Sequence, residues 1–130
     1  MKILLDTNAL IWLLGQTNGK SLGHSAVQSI RDAEVVYVSS VSILEIRIKT
    51  MLGKLVSKED LLDDVAAAGL KNLPFDTSHA NAISKFPNLS KHDPFDRMLL
   101  AQAQVEGTSF LTSDTILLGL NLPFVVNARK

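Results

Sequence analysis

The sequence predicts an α/β protein in which helices cover both faces of a mostly parallel sheet, a three-layer α/β/α arrangement. Short runs of β-branched and apolar residues alternate with capped helical stretches along the whole chain, the order expected of successive βα units. The runs themselves are continuously apolar rather than alternating with polar residues, as in strands buried on both faces. The 130 residues suit one domain, 1–130, and show neither an internal repeat nor a linker long enough to divide them.

Ile3-Leu4-Leu5 is the first such strand, punctuated by Asp6-Thr7-Asn8 before a helix over residues 9–14. A polar, Gly-containing loop over 15–23 leads to a helix over 25–32 with Val27 and Ile30 on its apolar side. Val35-Val36-Tyr37-Val38 is the clearest strand. Ser39-Ser40 then opens a helix carrying Ile43, Leu44, Ile46 and Ile48, and Gly53 ends it. Ser57, with Asp60 after it, forms a capping-box start for a helix running to Gly69. Leu73-Pro74-Phe75 is a brief extended piece, Thr77 or Ser78 caps a helix reaching about Lys85, and 86–92 is a loop. Asp93-Pro94 is the strongest helix start in the chain, an Asp cap followed by Pro at the first helical position. That helix continues to Glu106 and stops at Gly107; a strand over 108–112, a helical turn opened by Asp114 and a strand at Phe124-Val125-Val126 complete the order.

Composition narrows the function. With 46% apolar and 20% charged residues the chain is not of the disordered class. Thirteen Lys plus Arg balance thirteen Asp plus Glu, so no global attraction draws a polyanion and any nucleic-acid role must rest on local charge. The absence of cysteine excludes a disulfide scaffold, a thiolate zinc site, an iron–sulfur cluster and a cysteine nucleophile, and agrees with a cytoplasmic location. His24, His79 and His92 show no HxH or HxxxH spacing, so a zinc site is not expected. Lys2 and the apolar stretch to Gly15 faintly imitate a signal peptide, but Asp6 and Asn8 interrupt it. No apolar run approaches the roughly 18 residues that span a bilayer, so no membrane association is expected.

The acidic residues fall into two groups. Glu59, Asp60, Asp63 and Asp64 crowd one helix start, where the macrodipole favours them as a solvated face. Asp6 instead follows the first strand, Glu45 lies in or near the first turn of the helix after the second, and Asp114 follows the strand ending near Thr112. In open α/β sheets ligands bind beyond the carboxyl ends of the strands, where these three residues should converge. Asp96 joins them if the helix opened by Asp93-Pro94 points its N-terminus there. Each also has a plainer explanation: Asp6 and Asp114 as helix caps, Glu45 closing a capping box with Ser42, and Asp96 as the third-position acid behind Asp93. Four clustered carboxylates raise one another's pKa unless a cation compensates them. Mg²⁺ and Mn²⁺ prefer such oxygen ligands, and a site of this kind suits phosphoryl chemistry.

Four blocks occur in order: Leu4-Leu5-Asp6-Thr7-Asn8-Ala9-Leu10; Ser39-Ser40-Val41-Ser42-Ile43-Leu44-Glu45-Ile46 with Lys49 and Gly53-Lys54-Leu55; His92-Asp93-Pro94-Phe95-Asp96-Arg97-Met98-Leu99-Leu100-Ala101-Gln102-Ala103; and Leu111-Thr112-Ser113-Asp114. Together they resemble the PIN-domain family, in its branch of VapC-type toxins of bacterial type II toxin–antitoxin pairs. The likeness runs from residue 3 to about 126. It implies a PIN-like α/β/α fold and an endoribonuclease dependent on Mg²⁺, with Mn²⁺ as a substitute. Water activated by the metal would cleave RNA phosphodiesters and leave 5′-phosphate and 3′-hydroxyl ends.

Carried over by position, the family's catalytic and metal-binding acids fall on Asp6, Glu45, Asp96 and Asp114. Thr7, Asn8, Ser39 and Thr112 would orient those carboxylates or metal waters. Asp93 belongs to a shared block but is equally explained as a helix cap. His92 directly precedes Asp93, where many relatives leave a residue between, so the resemblance assigns it no role. Arg47, Lys49 and Lys54, with Lys58 beyond and Arg97 beside Asp96, would form an RNA-facing basic flank, the alternative being ordinary solvated faces.

The resemblance further implies a homodimer and a cognate antitoxin protein whose tail places a basic side chain in the acidic pocket. Ile11, Trp12, Leu52 and Leu55 are candidate contact residues, with core packing as the plainer explanation. A phosphoacceptor receiver does not fit, because Thr7 and Asn8 follow Asp6 and no Asp ends a middle strand. Asn8 likewise stands where a haloacid-dehalogenase-type phosphatase needs a second Asp. A PIN-like RNA-processing nuclease or binding module without a toxin role is the remaining alternative. No aromatic platform marks the RNA class, since Phe, Trp and Tyr total 5%.

Overall fold

A computed structural model of the chain describes residues 1–15, 21–56 and 59–130. Ser57, expected to cap a helix, and Lys58 lie outside the described residues. Five strands, β1 (Lys2–Leu5), β2 (Val35–Ser39), β3 (Lys71–Leu73), β4 (Ser109–Thr112) and β5 (Val125–Asn127), form one sheet in the order β3-β2-β1-β4-β5. Every pairing is parallel, where the sequence led us to expect a mostly parallel sheet. The chain therefore moves outward from β1 to β3, then crosses back to place β4 on the other side of β1. A crevice at the carboxyl ends of β1 and β4 follows from that reversal.

The helices are α1 (Thr7–Leu13), α2 (His24–Asp32), α3 (Ser40–Met51), α4 (Leu61–Ala67), α5 (Thr77–Ala82), α6 (Pro94–Glu106) and α7 (Thr115–Leu118). Side chains alternate across the strands, and both faces are covered. Ile3, Leu5, Val36, Val38 and Leu111 pack with Ala9 and Leu10 of α1, Ile46 of α3, and Leu61 and Val65 of α4. Leu4 and Phe110 point the other way, onto Leu99, Leu100 and Ala103 of α6 and Leu117 of α7. Burying each of the larger of these side chains contributes about 1.5–3 kcal/mol, and the two clusters hold the sheet from opposite faces.

Local differences from the sequence-based expectation have physical causes. Helix α1 starts at Thr7 rather than residue 9, because the Asp6 side chain accepts from Ala9 N at 2.7 Å and caps the helix directly after the strand. Helix α5 is capped by Asp76, not by Thr77 or Ser78; Asp76 Oδ1 accepts from Ser78 N and His79 N, and His79 Nδ1 accepts from Asp76 N at 2.9 Å. His takes the place of the usual Glu or Gln in that capping box. The extended piece around residue 73 is strand β3, and it ends before Pro74, which cannot donate to a ladder. Within the expected loop at 86–92, Pro87–Leu89 forms a 3₁₀ turn. Helix α6 has the expected ends: Asp93 caps it, and Gly107 closes it in the left-handed region with φ 69°.

No helix among the described residues is long and apolar enough to cross a membrane. Of the candidate contact residues, Ile11 is buried, Trp12 and Leu55 pack against the same core, and Leu52 is exposed.

Candidate metal centre

Asp6 leaves the end of β1 with both oxygens in use. Oδ1 caps α1, while Oδ2 accepts from Thr112 Oγ1 at 2.6 Å and from Ser113 N at 3.4 Å. The cap and the candidate ligand are thus the same carboxylate. Asp6 is 3% exposed. Burial pushes its carboxyl up to about 6, against the lowering effect of the bonds from Thr112, Ala9 and Ser113, and the charge of Glu45 adds to the rise.

Glu45 sits in the second turn of α3, not the first, and does not close a capping box with Ser42. The cap of α3 is Ser39, whose Oγ accepts from Val41 N at 3.0 Å. Glu45 reaches across to α1 instead: Thr7 Oγ1 donates to its Oε1 at 2.6 Å, and Lys49 Nζ donates to its Oε2 at 2.5 Å. Thr7 Oγ1 also lies 3.0 Å from Ser42 Oγ. Burial works against the charge on Lys49, but Glu45, with Asp93 and Asp96 behind it, holds the ammonium above its ordinary range.

Asp96 stands in the first turn of α6 behind the Asp93 cap, whose Oδ1 accepts from Phe95 N at 2.8 Å. Burial, followed by the charges of Asp93, Asp114, Asp6 and Glu45, pushes its carboxyl up to about 8. The other three candidate acids therefore all act on Asp96. Asp114 caps α7 through Oδ1, accepting from Leu117 N at 2.9 Å, and its own N–H donates to Thr112 Oγ1 at 3.1 Å.

His92 occupies the gap between Asp96 and Asp114, a placement the sequence did not reveal. Its Nε2 lies 3.3 Å from Asp96 Oδ2 and 3.2 Å from Asp114 Oδ2. One ligand atom from each of these three residues fits within 4.8 Å of the others. Asp6 and Glu45 flank this group rather than belong to it. No regular histidine spacing could have announced it, since folding brings residues 92 and 114 together.

The remaining candidates scatter. Asn8 is exposed and Ser39 is buried under its own helix cap. Arg47 is two positions from Glu45, about 200° round the helix, and lines an apolar groove with Leu44, Leu62 and Leu73. Arg47 and Lys49 therefore do not share one basic flank, and the helical phase already contained that signal. Lys54 is exposed beyond α3. Arg97 is half-buried, and its Nε makes no hydrogen bond among the described residues.

The donor set fits a divalent cation. Oxygen donors predominate, carboxylates lie close together, and burial together with the charges of neighbouring acids raises the carboxyls of Asp6 and Asp96. Asp96 and Asp114 would hold the ion, with Asp6 and Glu45 flanking it.

Comparisons with known proteins agree with this architecture. The chain resembles a chain of VapBC2 from Rickettsia felis bound to a promoter DNA fragment, at 14% identity, TM-score 0.68 and 98% coverage of both chains. It resembles DNA-bound VapBC from Salmonella typhimurium at 20% identity and TM-score 0.64, again with 98% of each chain covered. It also resembles VapBC-5, a toxin–antitoxin system of Mycobacterium tuberculosis, at 17% identity and TM-score 0.61, covering 99% of this chain and 98% of that one. At these identities the likeness is one of fold. Comparison with the sequences of curated proteins finds no match. The PIN domain model matches residues 3–120, nearly the whole chain, and this protein belongs to the PIN domain family.

Proposed function

We propose that this protein is an endoribonuclease dependent on Mg²⁺, with Mn²⁺ as a substitute, and that it is the toxin of a type II toxin–antitoxin pair. One observation supports the nuclease reading: the Asp96 carboxyl is pushed up to about 8 by burial and by the charges of its acidic neighbours, Asp114, Asp6 and Glu45 among them. Such a site is unfavourable without a cation and becomes favourable with one. When bound, a divalent ion polarises a phosphodiester and makes water an effective nucleophile near neutral pH.

The residues of this chain then have separate tasks. Asp96 and Asp114, with Asp6 beside them, would present oxygens to the ion. Thr112 fixes the rotamer of Asp6 through its 2.6 Å bond, and Thr7 does the same for Glu45. Lys49 balances Glu45 and supplies a positive charge at the edge of the acidic group, where an RNA phosphate must approach.

The toxin half is supported by the likeness to chains from toxin–antitoxin complexes. It brings with it an antitoxin partner, a homodimer and a cytoplasmic setting. Brief expression in a bacterial host, followed by growth measurement and sequencing of RNA 5′ ends, tests both halves. We expect growth arrest relieved by the product of a small neighbouring gene, and new 5′-phosphate ends that disappear with Asp6→Asn or Asp96→Asn. Harmless expression with RNA still cut would leave an RNA-processing nuclease without a toxin role. Cleavage at the wild-type rate by Asp6→Asn in Mg²⁺ would overturn the metal mechanism.

A further inference from the structure

We propose that His92 supplies an imidazole nitrogen to the metal centre, so that the site favours a transition-metal ion such as Mn²⁺ over Mg²⁺. This rests on the metal-dependent reading above and adds a donor that the pattern of acids does not contain.

The geometry is the first argument. Donors bound at about 2.1 Å lie about 3.0 Å apart along an octahedral edge and about 3.4 Å apart along a tetrahedral one. The two separations from His92 Nε2, 3.2 Å to Asp114 Oδ2 and 3.3 Å to Asp96 Oδ2, fall between those values. As hydrogen bonds both are long, and a single ring N–H cannot point well at two carboxylates at once.

The surroundings are the second. Asp114 Oδ1 is committed to the cap of α7, which leaves Oδ2 as the oxygen turned toward His92. The backbone that carries the ring is fixed as well: His92 N donates to Leu89 O at 2.9 Å, in the turn just before α6, and the side chain is 14% exposed. From this backbone position the ring meets an ion bound to Asp96 and Asp114 without a shift of the main chain.

The chemistry of the donors sets the consequence. Carboxylate and water suit Mg²⁺, whereas an imidazole nitrogen is better matched to transition-metal ions. One nitrogen among oxygens therefore raises Mn²⁺ affinity relative to Mg²⁺.

Pulsed electron paramagnetic resonance of the full chain loaded with Mn²⁺ reads this directly. We expect nitrogen modulation from a coordinated imidazole in the wild type and its loss in His92→Gln, with His24 and His79 intact. Titration calorimetry should show Mn²⁺ affinity falling about tenfold or more in His92→Gln, with Mg²⁺ affinity changing less than about threefold. Mn²⁺ bound without nitrogen modulation in the wild type would overturn the role of His92 and leave the acidic metal centre standing. So would equal losses of both ions in the variant, the result of a purely structural role. Failure of the wild type to bind either ion would overturn the metal centre and this proposal together.

Discussion

Thr112 donates its hydroxyl to Asp6 at 2.6 Å across 106 positions of sequence, and the same hydroxyl accepts the N–H of Asp114 at 3.1 Å. One oxygen therefore joins two candidate ligands from different strands. Thr112→Val keeps the side-chain shape and removes both bonds. It should cost about 1–3 kcal/mol in urea unfolding at pH 8, because a buried carboxylate loses its best donor. The Asp6 carboxyl, which Thr112 lowers, should move above about 6 in an NMR titration. An unchanged or lower Asp6 pKa would show that the hydroxyl does not stabilise the ionised form.

Stability should depend on pH in a direction opposite to that of most acidic proteins. The carboxyls of Asp6 and Asp96 are raised to about 6 and about 8 in the folded chain. Above their unfolded pKa of about 4 the native state binds more protons than the unfolded state, so stability falls as pH rises toward 8. Each tenfold difference in proton affinity between the folded and unfolded chain is worth about 1.4 kcal/mol, so two groups raised this far should lower stability by several kcal/mol by pH 8. Thermal melts in EDTA from pH 4 to 8 should show it for the wild type, and Asp96→Asn should flatten the slope and melt higher at pH 8. A wild-type melting temperature that climbs over this range would contradict the burial of Asp96.

Divalent ions should reverse that trend. Ligation favours the ionised carboxylates, so Mn²⁺ or Mg²⁺ should restore the stability lost at pH 8. The gain is about 2.7 kcal/mol at a hundred times the dissociation constant. Asp6→Asn and Asp96→Asn should lose most of it. An ion-induced rise in melting temperature that survives both substitutions would locate the ion elsewhere.

Under the proposed metal centre Lys49 would compete with the ion for Glu45, since its ammonium is bonded to Oε2. Lys49→Met removes a cation from the edge of the acidic group and should tighten divalent binding by a few-fold, about 0.5–1 kcal/mol. RNA binding without metal should weaken, because one phosphate contact is lost. Calorimetry and filter binding at fixed ionic strength separate the two effects. Unchanged metal affinity would mean that the ammonium lies outside the ion's field.

Gly107 ends α6 at φ 69°, and a methyl group there would meet nothing within 4 Å. The cost of Gly107→Ala is therefore conformational alone and should be about 1–2 kcal/mol in chemical denaturation. A smaller effect would imply that the helix end relaxes.

Much of this was legible in local sequence, because the relevant physics is local. Asp93-Pro94 and Gly107 mark the two ends of α6 through capping chemistry that needs only neighbours, and Ile3-Leu4-Leu5 marks a strand buried on both faces. The position of Asp6 at a strand end was legible for the same reason. What escaped depends on contacts across the fold. His92 meets Asp114 only after β4 has paired with β1, and Glu45 turns to Thr7 and Lys49 rather than to its own helix start. Arg47 is the intermediate case: two positions from Glu45, it had to face away, and counting turns would have shown it.

The placement of β1 at the centre of the sheet sets a timetable for synthesis. Its neighbour β4 is more than a hundred residues away in sequence, so a nascent chain carries Asp6 long before it has made Thr112 or Asp114. Until β4 leaves the ribosome, the first acid lacks the hydroxyl that orients it and the crevice has only one wall. Under the proposed nuclease function, a growing chain next to ribosome-bound RNA is thus harmless until synthesis is nearly finished. An antitoxin that must arrive before catalysis begins has the whole elongation time in which to do so.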